Sequence, residues 1–205
     1  MALLLDKNGI ALAVTFGALI YFFGGLQYLA LMLFFFAMAV IATKYQHYEK
    51  RDMGIYEHER SWENVLSNGL VPSILAVASP MIGPMPYISS VAAVMADKFA
   101  SELGVLSKNP ISLENFKQVK PGKSGAVSML GFLMSLAGGT LIGAVSIWLF
   151  GIDPNAALYV GLIGLVGSAV DSIIGVFEEK GIGSKGITNI ICSIVGGLLG
   201  YLYLR

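Results

Sequence analysis

Long apolar runs separated by short polar segments make up most of the chain. Seven such runs can be outlined, at residues 9–23, 26–43, 65–79, 87–99, 125–150, 156–177 and 187–204. A helix needs about 20 mostly apolar residues to cross the hydrocarbon core of a bilayer. The pattern therefore predicts an all-α integral membrane protein, a polytopic bundle of about seven transmembrane helices. The first and third runs are short, so six helices are the alternative.

The polar segment before the third run carries its own signal. In RSWENVLSNG (60–69), Trp62, Val65 and Leu66 recur at helical spacing. An amphipathic helix with an aromatic residue on its apolar face is typical of the membrane interface. This stretch predicts a short interfacial helix, and the proline-containing segment 80–86 is predicted to end the third run.

Composition supports the membrane assignment and narrows the function. The chain is 56% hydrophobic and 13% charged, with a mean hydropathy of +0.74, well beyond the values of soluble domains. One transmembrane domain over residues 1–205 is expected. The formal net charge of zero gives no reason to expect nucleic acid binding, and the single cysteine, Cys192, cannot form an internal disulfide. No small-residue cleavage site is evident near the first run, so we expect no cleavable signal peptide.

Basic residues alternate between the loops. They fall before the first run (Lys7), between the second and third (Lys44, Lys50, Arg51 and Arg60), between the fourth and fifth (Lys98, Lys108, Lys117, Lys120 and Lys123) and between the sixth and seventh (Lys180 and Lys185). The intervening turns have none, and only Arg205 falls on the other side. Cytoplasmic loops are enriched in lysine and arginine. The distribution predicts a cytoplasmic N-terminus. Lys50 is expected only to help set the orientation of the protein in the membrane.

Three carboxylates lie inside apolar runs or close to their ends. Asp171 lies inside the sixth run, while Asp97 and Glu102 lie at the end of the fourth. An acid inside a membrane helix is energetically costly and is by default a functional candidate. Because Mg²⁺ binds one or two carboxylates together with substrate phosphates, the three predict a magnesium–phosphate site. The alternatives are a structural role for Asp171 and an ordinary i, i+4 ion pair between Lys98 and Glu102.

A glycine-punctuated basic segment precedes the fifth run. It contains Lys117, Lys120 and Lys123, together with Gly122, Ser124 and Gly125. Backbone N–H groups at a helix start bind phosphate, and nearby lysines neutralise its charge. A P-loop is excluded, because Lys117 occupies the position of its first glycine. The alternative is a basic loop that only sets topology.

Four blocks together resemble a known family. They are RSWENVLSNGLVP (60–72), ADKFASELG (96–104), KQVKPGKSGAVSMLG (117–131) and GLVGSAVDSIIGVFEE with TNIICSIVGG (164–179 and 188–197). In order and spacing they are similar to the integral membrane family of transmembrane protein 19 and plant phytyl-phosphate kinase, once catalogued as domain of unknown function 92. The chain also resembles, more distantly, the CTP-dependent dolichol and phytol kinases.

The resemblance implies a function and assigns the site. It implies a kinase that phosphorylates an isoprenyl monophosphate such as phytyl or geranylgeranyl phosphate to the diphosphate, with a nucleoside triphosphate as donor, CTP before ATP. From this, together with the basic loops and the carboxylates, we expect the site at the cytoplasmic face of the bilayer, with Mg²⁺. The matching positions are Asp97, Ser101 and Glu102 in the acidic block, Lys117, Gly125 and Ser128 in the glycine block, Asp171 and Ser172, and the two asparagines Asn68 and Asn189. Asp97, Asp171 and Lys123 are the expected catalytic residues, and Asp97, Glu102 and Asp171 the expected metal ligands.

Two other functions remain open at this stage. A small membrane transporter would place carboxylates near the bilayer midplane and would have broken helices and an internal repeat. The acids instead lie toward one side, and no repeat is evident. Another protein that handles lipid phosphates is the second alternative.

Overall fold

The computed structural model describes residues 5–54 and 61–203 and confirms an all-α membrane architecture. The described helices are α1 (Lys7–Leu19, continued by a π-helical turn Ile20–Gly24), α2 (Leu26–Lys44), α3 (His47–Asp52), α4 (Trp62–Ile82), α5 (Met85–Leu103), α6 (Met129–Phe150), α7 (Pro154–Glu178) and α8 (Lys185–Leu202). Six of them are long and apolar enough to cross a membrane. The remaining long helix, α5, has 19 residues but contains Asp97, Lys98 and Glu102.

The helix ends gather in two groups. At one end, hydrogen bonds or close contacts join Asp6 to Trp62, Thr43 to Glu102, Gly104 to Gly131 and Gly125 to Gly175. At the other end, the rings of Tyr28 and Phe150 pack edge to face, and those of Tyr159 and Tyr203 stack. Every lysine and arginine within residues 5–54 and 61–203 lies at the first end, which we call the basic end. The loops therefore alternate as predicted, while the side of the membrane that the basic end faces stays a prediction.

The predicted interfacial helix is wrong. Trp62, Val65 and Leu66 belong to the first turns of α4, which runs without interruption to Ile82. The helix includes Pro72 and Pro80. Proline is compatible with a membrane helix when other groups satisfy the backbone carbonyl that it leaves without a donor.

The predicted helix start at residue 125 is also wrong. Residues Ala126–Val127 form a short strand, β2, which pairs antiparallel with β1 (Ile111–Ser112). α6 begins only at Met129, where the Ser128 hydroxyl accepts a 3.0 Å hydrogen bond from the backbone N–H of Gly131. The glycine-rich segment is therefore a loop before a hairpin strand rather than a helix N-terminus.

α5 is the central helix, and glycines bring its neighbours close. It packs against α2, α4, α6, α7 and α8, and residues 85–97 are all buried. A Cβ on Gly164 would lie 3.0 Å from the carbonyl oxygen of Ala92, and one on Gly196 would lie 2.6 Å from that of Ser89. Small residues allow such contacts in lipid, which confirms packing as the role of these glycines. The enclosure of α5 fixes the position of Asp97 in its last turns.

Candidate functional site

A cavity of about 530 Å³ lies at the basic end, between α5, α6 and α7 and beneath the loop of residues 121–125. It brings together residues from three separate blocks of sequence. Those predicted from the sequence that line it are Asp97, Ser101, Glu102, Gly122, Lys123, Ser124, Gly125, Ser128, Asp171 and Ser172. Segments more than 70 positions apart along the chain thus form one site.

A pair of carboxylates lies at the inner part of the cavity. Asp97 on α5 and Asp171 on α7 both line it, and their carboxylates are close enough to interact electrostatically. Asp97 is only 7% exposed, and Oδ1 of Asp171 is buried without a hydrogen-bond partner. Each aspartate lies six or seven residues from the end of its helix, which is roughly 10 Å at 1.5 Å per residue. Two adjacent carboxylates repel each other, so a cation between them stabilises the pair.

Glu102 is engaged elsewhere. Its carboxylate accepts from Lys98 at 2.8 Å, from Lys50 at 3.1 Å and from the Thr43 hydroxyl at 2.9 Å. Among residues 5–54 and 61–203, no group of three or more histidines, cysteines, aspartates and glutamates is placed to bind a metal. The structure therefore does not bring Glu102 to the pair Asp97–Asp171, and the alternative Lys98–Glu102 ion pair is present.

Lys50 has more than a topological role. Its side chain is 2% exposed and its ammonium donates to the carbonyl oxygens of Ala42 at 2.8 Å and Thr43 at 3.1 Å, besides pairing with Glu102. The ammonium therefore holds the short helix α3 against the C-terminus of α2, a favourable place for a positive charge. Lys50 also lines the cavity, so the expectation of topology alone is corrected.

The loop of residues 121–125 is anchored on the last turns of α7. Gly125 adopts φ +70°, and a Cβ there would lie 2.8 Å from the backbone nitrogen of Val176. The backbone N–H of Ser124 donates to Oε1 of Glu179 at 2.9 Å, and the Lys123 ammonium lies 4.0 Å from Oε2 of the same residue. Contact between loop and helix places Lys123 at the cavity.

The other two predicted lysines lie outside the cavity. Lys117 is exposed, and Lys120 is exposed beside an open groove that Lys108 and Lys123 also line. Among Lys117, Lys120 and Lys123, only Lys123 faces both the groove and the cavity.

The two predicted asparagines contact each other rather than the cavity. Asn189 on α8 donates to Oδ1 of Asn68 on α4 at 3.4 Å, and Asn68 donates to the carbonyl oxygen of Asn64 at 2.8 Å. These contacts agree with the alternative of helix–helix hydrogen bonding.

Sequence reasoning did not assign several polar cavity residues to the site, among them Lys185, Glu178 and Ser135. Lys185 acts electrostatically on both Asp97 and Asp171. The predicted runs 156–177 and 187–204 leave Glu178 and Lys185 in the loop between them, whereas the structure places Glu178 at the end of α7 and Lys185 at the start of α8. For Lys185 a signal was present in the sequence. Thr188 and Asn189 follow it at i+3 and i+4, the spacing of residues on one helix face.

Apolar residues of α6 and α7 form one wall of the cavity. Phe132 on α6 is 51% exposed, Ala169 on α7 is exposed, and both line the cavity together with Leu165. Farther from the basic end the two helices pack closely, because Gly139 approaches within contact distance of Gly161 and Gly164. All of these residues lie within candidate membrane spans. This wall of the cavity therefore belongs to helices that are apolar enough to cross a membrane.

Comparisons with known proteins give a consistent result. The model of the family described as integral membrane protein DUF92 matches residues 2–196. An uncharacterised membrane protein of Methanocaldococcus jannaschii is 37% identical over 97% of this chain and 85% of its own length. Protein PGR of Arabidopsis thaliana is 32% identical over 76% of this chain and 66% of its own length. No solved structure matches.

Proposed function

Because the chain belongs to the DUF92 family of integral membrane proteins, we propose that its cavity transfers a phosphoryl group between a nucleoside triphosphate and a membrane lipid. The acceptor is an isoprenyl monophosphate such as phytyl or geranylgeranyl phosphate, the donor is CTP or ATP, and the product is the diphosphate. The observation that carries this proposal is a single cavity with a buried carboxylate pair, a basic glycine loop and an apolar wall within candidate membrane spans.

The chemistry requires little from side chains beyond position and charge. An oxygen of the lipid phosphate attacks the terminal phosphorus of the donor, the bond to the bridging oxygen breaks, and the nucleoside diphosphate leaves. Such transfers are catalysed mainly by alignment and by neutralisation of the phosphoryl oxygens. Lys123 on the loop and Lys185 on α8 supply positive charge at the cavity. No nucleophilic side chain is needed.

The carboxylate pair fits a magnesium ion. Mg²⁺ prefers hard oxygen ligands and commonly uses one or two carboxylates with substrate phosphates. Asp97 and Asp171 would hold it, and the buried Oδ1 of Asp171 lacks any other partner. When bound, the ion would neutralise charge on the donor phosphates. Glu102 is not needed in this arrangement, since its ion pairs with Lys50 and Lys98 leave it a structural role.

The carboxylate pair lies between the basic end and the middle of the bundle. α7 has 25 residues and is therefore roughly 37 Å long. Asp171 lies about 10 Å from the basic end of α7 and about 8 Å from its middle. A transporter would place its binding site near the midplane, so the depth of the pair is compatible with either function.

A transfer assay tests the proposal directly. Purified protein in lipid nanodiscs is incubated with Mg²⁺ and with CTP or ATP labelled in the terminal phosphate, against isoprenyl monophosphates and the matching alcohols. We expect label in the lipid diphosphate for the monophosphates only. A folded protein that labels no isoprenyl lipid from either nucleotide would refute the kinase. Uptake of a phosphorylated solute by proteoliposomes would then favour transport.

A further inference from the structure

One buried hydroxyl in the cavity has no partner. Ser135 on α6 is 2% exposed, lines the cavity, and its Oγ makes no hydrogen bond within the described residues. A buried hydroxyl without a partner is costly. The other serine of α6 shows the usual solution, since the buried Ser146 hydroxyl donates to the carbonyl oxygen of Ile142 at 2.8 Å. Ser135 differs from Ser146 in facing open space.

Ser135 lies at the same depth as the carboxylate pair. It is six residues from the start of α6, or about 9 Å at 1.5 Å per residue. Asp97 and Asp171 lie about equally far from the ends of α5 and α7. The hydroxyl, the two carboxylates and the unpartnered Oδ1 therefore belong to one polar layer of the cavity.

The wall of the cavity near Ser135 is apolar. Phe132 precedes Ser135 by one turn of α6, and Leu165 and Ala169 line the cavity from α7. This wall is apolar, whereas Lys123 and Lys185 line the part beneath the loop. A hydrocarbon chain suits the apolar wall, and a hydrophilic nucleotide suits the charged part.

The geometry points to Ser135 as the residue that binds the head group of the lipid substrate, which enters sideways between α6 and α7. This inference rests on the proposed function for the identity of the lipid. The hydroxyl donates a hydrogen bond to an oxygen of the lipid phosphate, while the single hydrocarbon chain runs past Phe132 and Ala169 toward the membrane. The phosphates of the nucleotide occupy the part beneath the loop and do not contact Ser135. Ser135 is thus a binding residue for one of the two substrates.

Binding of the lipid alone tests this assignment without any requirement for transfer. Radiolabelled geranylgeranyl monophosphate is bound to the protein in phosphatidylcholine nanodiscs with Mg²⁺ and no nucleotide, and nucleotide binding is measured separately. Loss of a hydrogen bond to a charged group costs about tenfold or more in affinity. We expect Ser135→Ala to weaken lipid binding at least tenfold and to leave nucleotide binding unchanged. Ser135→Thr keeps the hydroxyl and should retain most of the affinity.

Two controls separate binding from packing. Ser146→Ala removes a buried hydroxyl of the same helix outside the cavity and should change neither affinity. Ala169→Trp should fill the space beside the apolar wall and reduce lipid binding, whereas Leu162→Trp, on the exposed face of α7 and outside the cavity, should not.

The outcomes are distinct. Wild-type affinity in Ser135→Ala, or equal loss of lipid and nucleotide binding with a lowered melting temperature, would overturn the assignment. Failure of the wild type to bind the lipid would overturn both this assignment and the proposed acceptor. Lipid binding that depends on Ser135 in a protein without transfer activity would support the assignment and refute only the kinase.

Discussion

Ser124 donates its backbone N–H to the carboxylate of Glu179 at 2.9 Å. The loop that the sequence predicts to bind phosphate thus already binds an anion of its own chain. The Lys123 ammonium, 4.0 Å from the same carboxylate, faces the same group. If a nucleotide binds at this loop as proposed, its phosphates would compete with Glu179 for both donors, and the side chain of Glu179 would act against nucleotide binding.

Neutralising Glu179 should therefore tighten nucleotide binding. In Glu179→Gln the amide oxygen is a weaker acceptor than a carboxylate, because charge-assisted hydrogen bonds are about twice as strong as neutral ones. We expect the dissociation constant for CTP or ATP to fall severalfold in a filter-binding assay. Glu49→Gln, an exposed acid on α3, is the control and should have no effect. Weaker binding by Glu179→Gln would mean that Glu179 orders the loop for its ligand.

Gly125 should tolerate alanine far less than another glycine with positive φ. Gly125 has φ +70° and a Cβ would lie 2.8 Å from the backbone of Val176, whereas Gly181 has φ +78° and open space around it. Both substitutions incur left-handed strain of roughly 1–2 kcal/mol, but only Gly125→Ala must also move the loop from α7. We expect Gly125→Ala to lower nucleotide affinity at least tenfold and Gly181→Ala to leave it near wild type. Equal affinities in the two variants would show that the loop position is unimportant.

The sequence predicted the helices well and the loop poorly, for physical reasons. A bilayer imposes a length and an apolar composition on each spanning helix, so all seven long helices were found within a few residues of their ends. The prediction that Pro80 ends a helix is wrong by two residues, because the carbonyl oxygen of Ala76, which Pro80 cannot bond, accepts instead from the Ser79 hydroxyl at 2.8 Å. The strand Ala126–Val127 depends on pairing with Ile111–Ser112, and two-residue strands leave no periodicity to detect.

The same contrast applies to the cavity. Asp97 and Asp171 could be identified because a carboxylate within an apolar run is conspicuous and costly. Ser135 could not, since serine is common in membrane helices and only the missing partner marks it. Of the two lysines that pair with Glu102, only Lys98 can be predicted from the sequence, because it lies one helical turn away. Lys50 contacts Glu102 only because α3 folds back against the bundle.

Lys185 should contribute to donor binding more than a lysine of the same connection outside the cavity. Lys185 lines the cavity near both aspartates, whereas Lys180 pairs with Glu114 at 3.3 Å and is half exposed. Loss of a cation that contacts phosphate weakens a charge-assisted interaction. We expect Lys185→Ala to raise the KM for the nucleotide about tenfold and Lys180→Ala to change it less than twofold. Lys123→Ala should raise the KM as Lys185→Ala does. Equal KM values in all three variants would show that neither Lys123 nor Lys185 contributes to nucleotide binding.

The sidedness of the basic end can be measured by cysteine labelling. The native Cys192 is buried, so background labelling by a membrane-impermeant maleimide should be low. Asn109 lies at the basic end and Asn155 at the opposite end, and both are exposed. Since basic loops are retained in the cytoplasm, we expect Asn109→Cys to be labelled only in inside-out vesicles and Asn155→Cys only in intact cells. The reverse pattern would place the cavity mouth outside the cell and away from nucleotides.

Asp97 and Asp171 should act as one unit. They lie on different helices, line the same cavity and interact electrostatically. Both are needed if they hold one cation against the donor phosphates. Asp97→Asn and Asp171→Asn keep the size of each side chain and remove its charge. Loss of an essential electrostatic contact commonly lowers the rate about 100-fold or more, and groups that act together are not additive, so the double variant should be little slower than either single variant.

The proteins should remain folded, because an amide is less costly than a carboxylate in a membrane helix. Melting temperature in detergent therefore serves as the control, with the exposed Asp52→Asn as the matched substitution. The measurement is Mg²⁺-dependent transfer from labelled nucleotide to an isoprenyl monophosphate, supported by Mn²⁺ binding followed by electron paramagnetic resonance. If both single variants keep full activity and bind Mn²⁺ as the wild type does, the shared cation site is wrong, and the pair serves the packing of α5 against α7. If activity is lost with Mn²⁺ binding intact, the carboxylates act on the substrates without holding a cation.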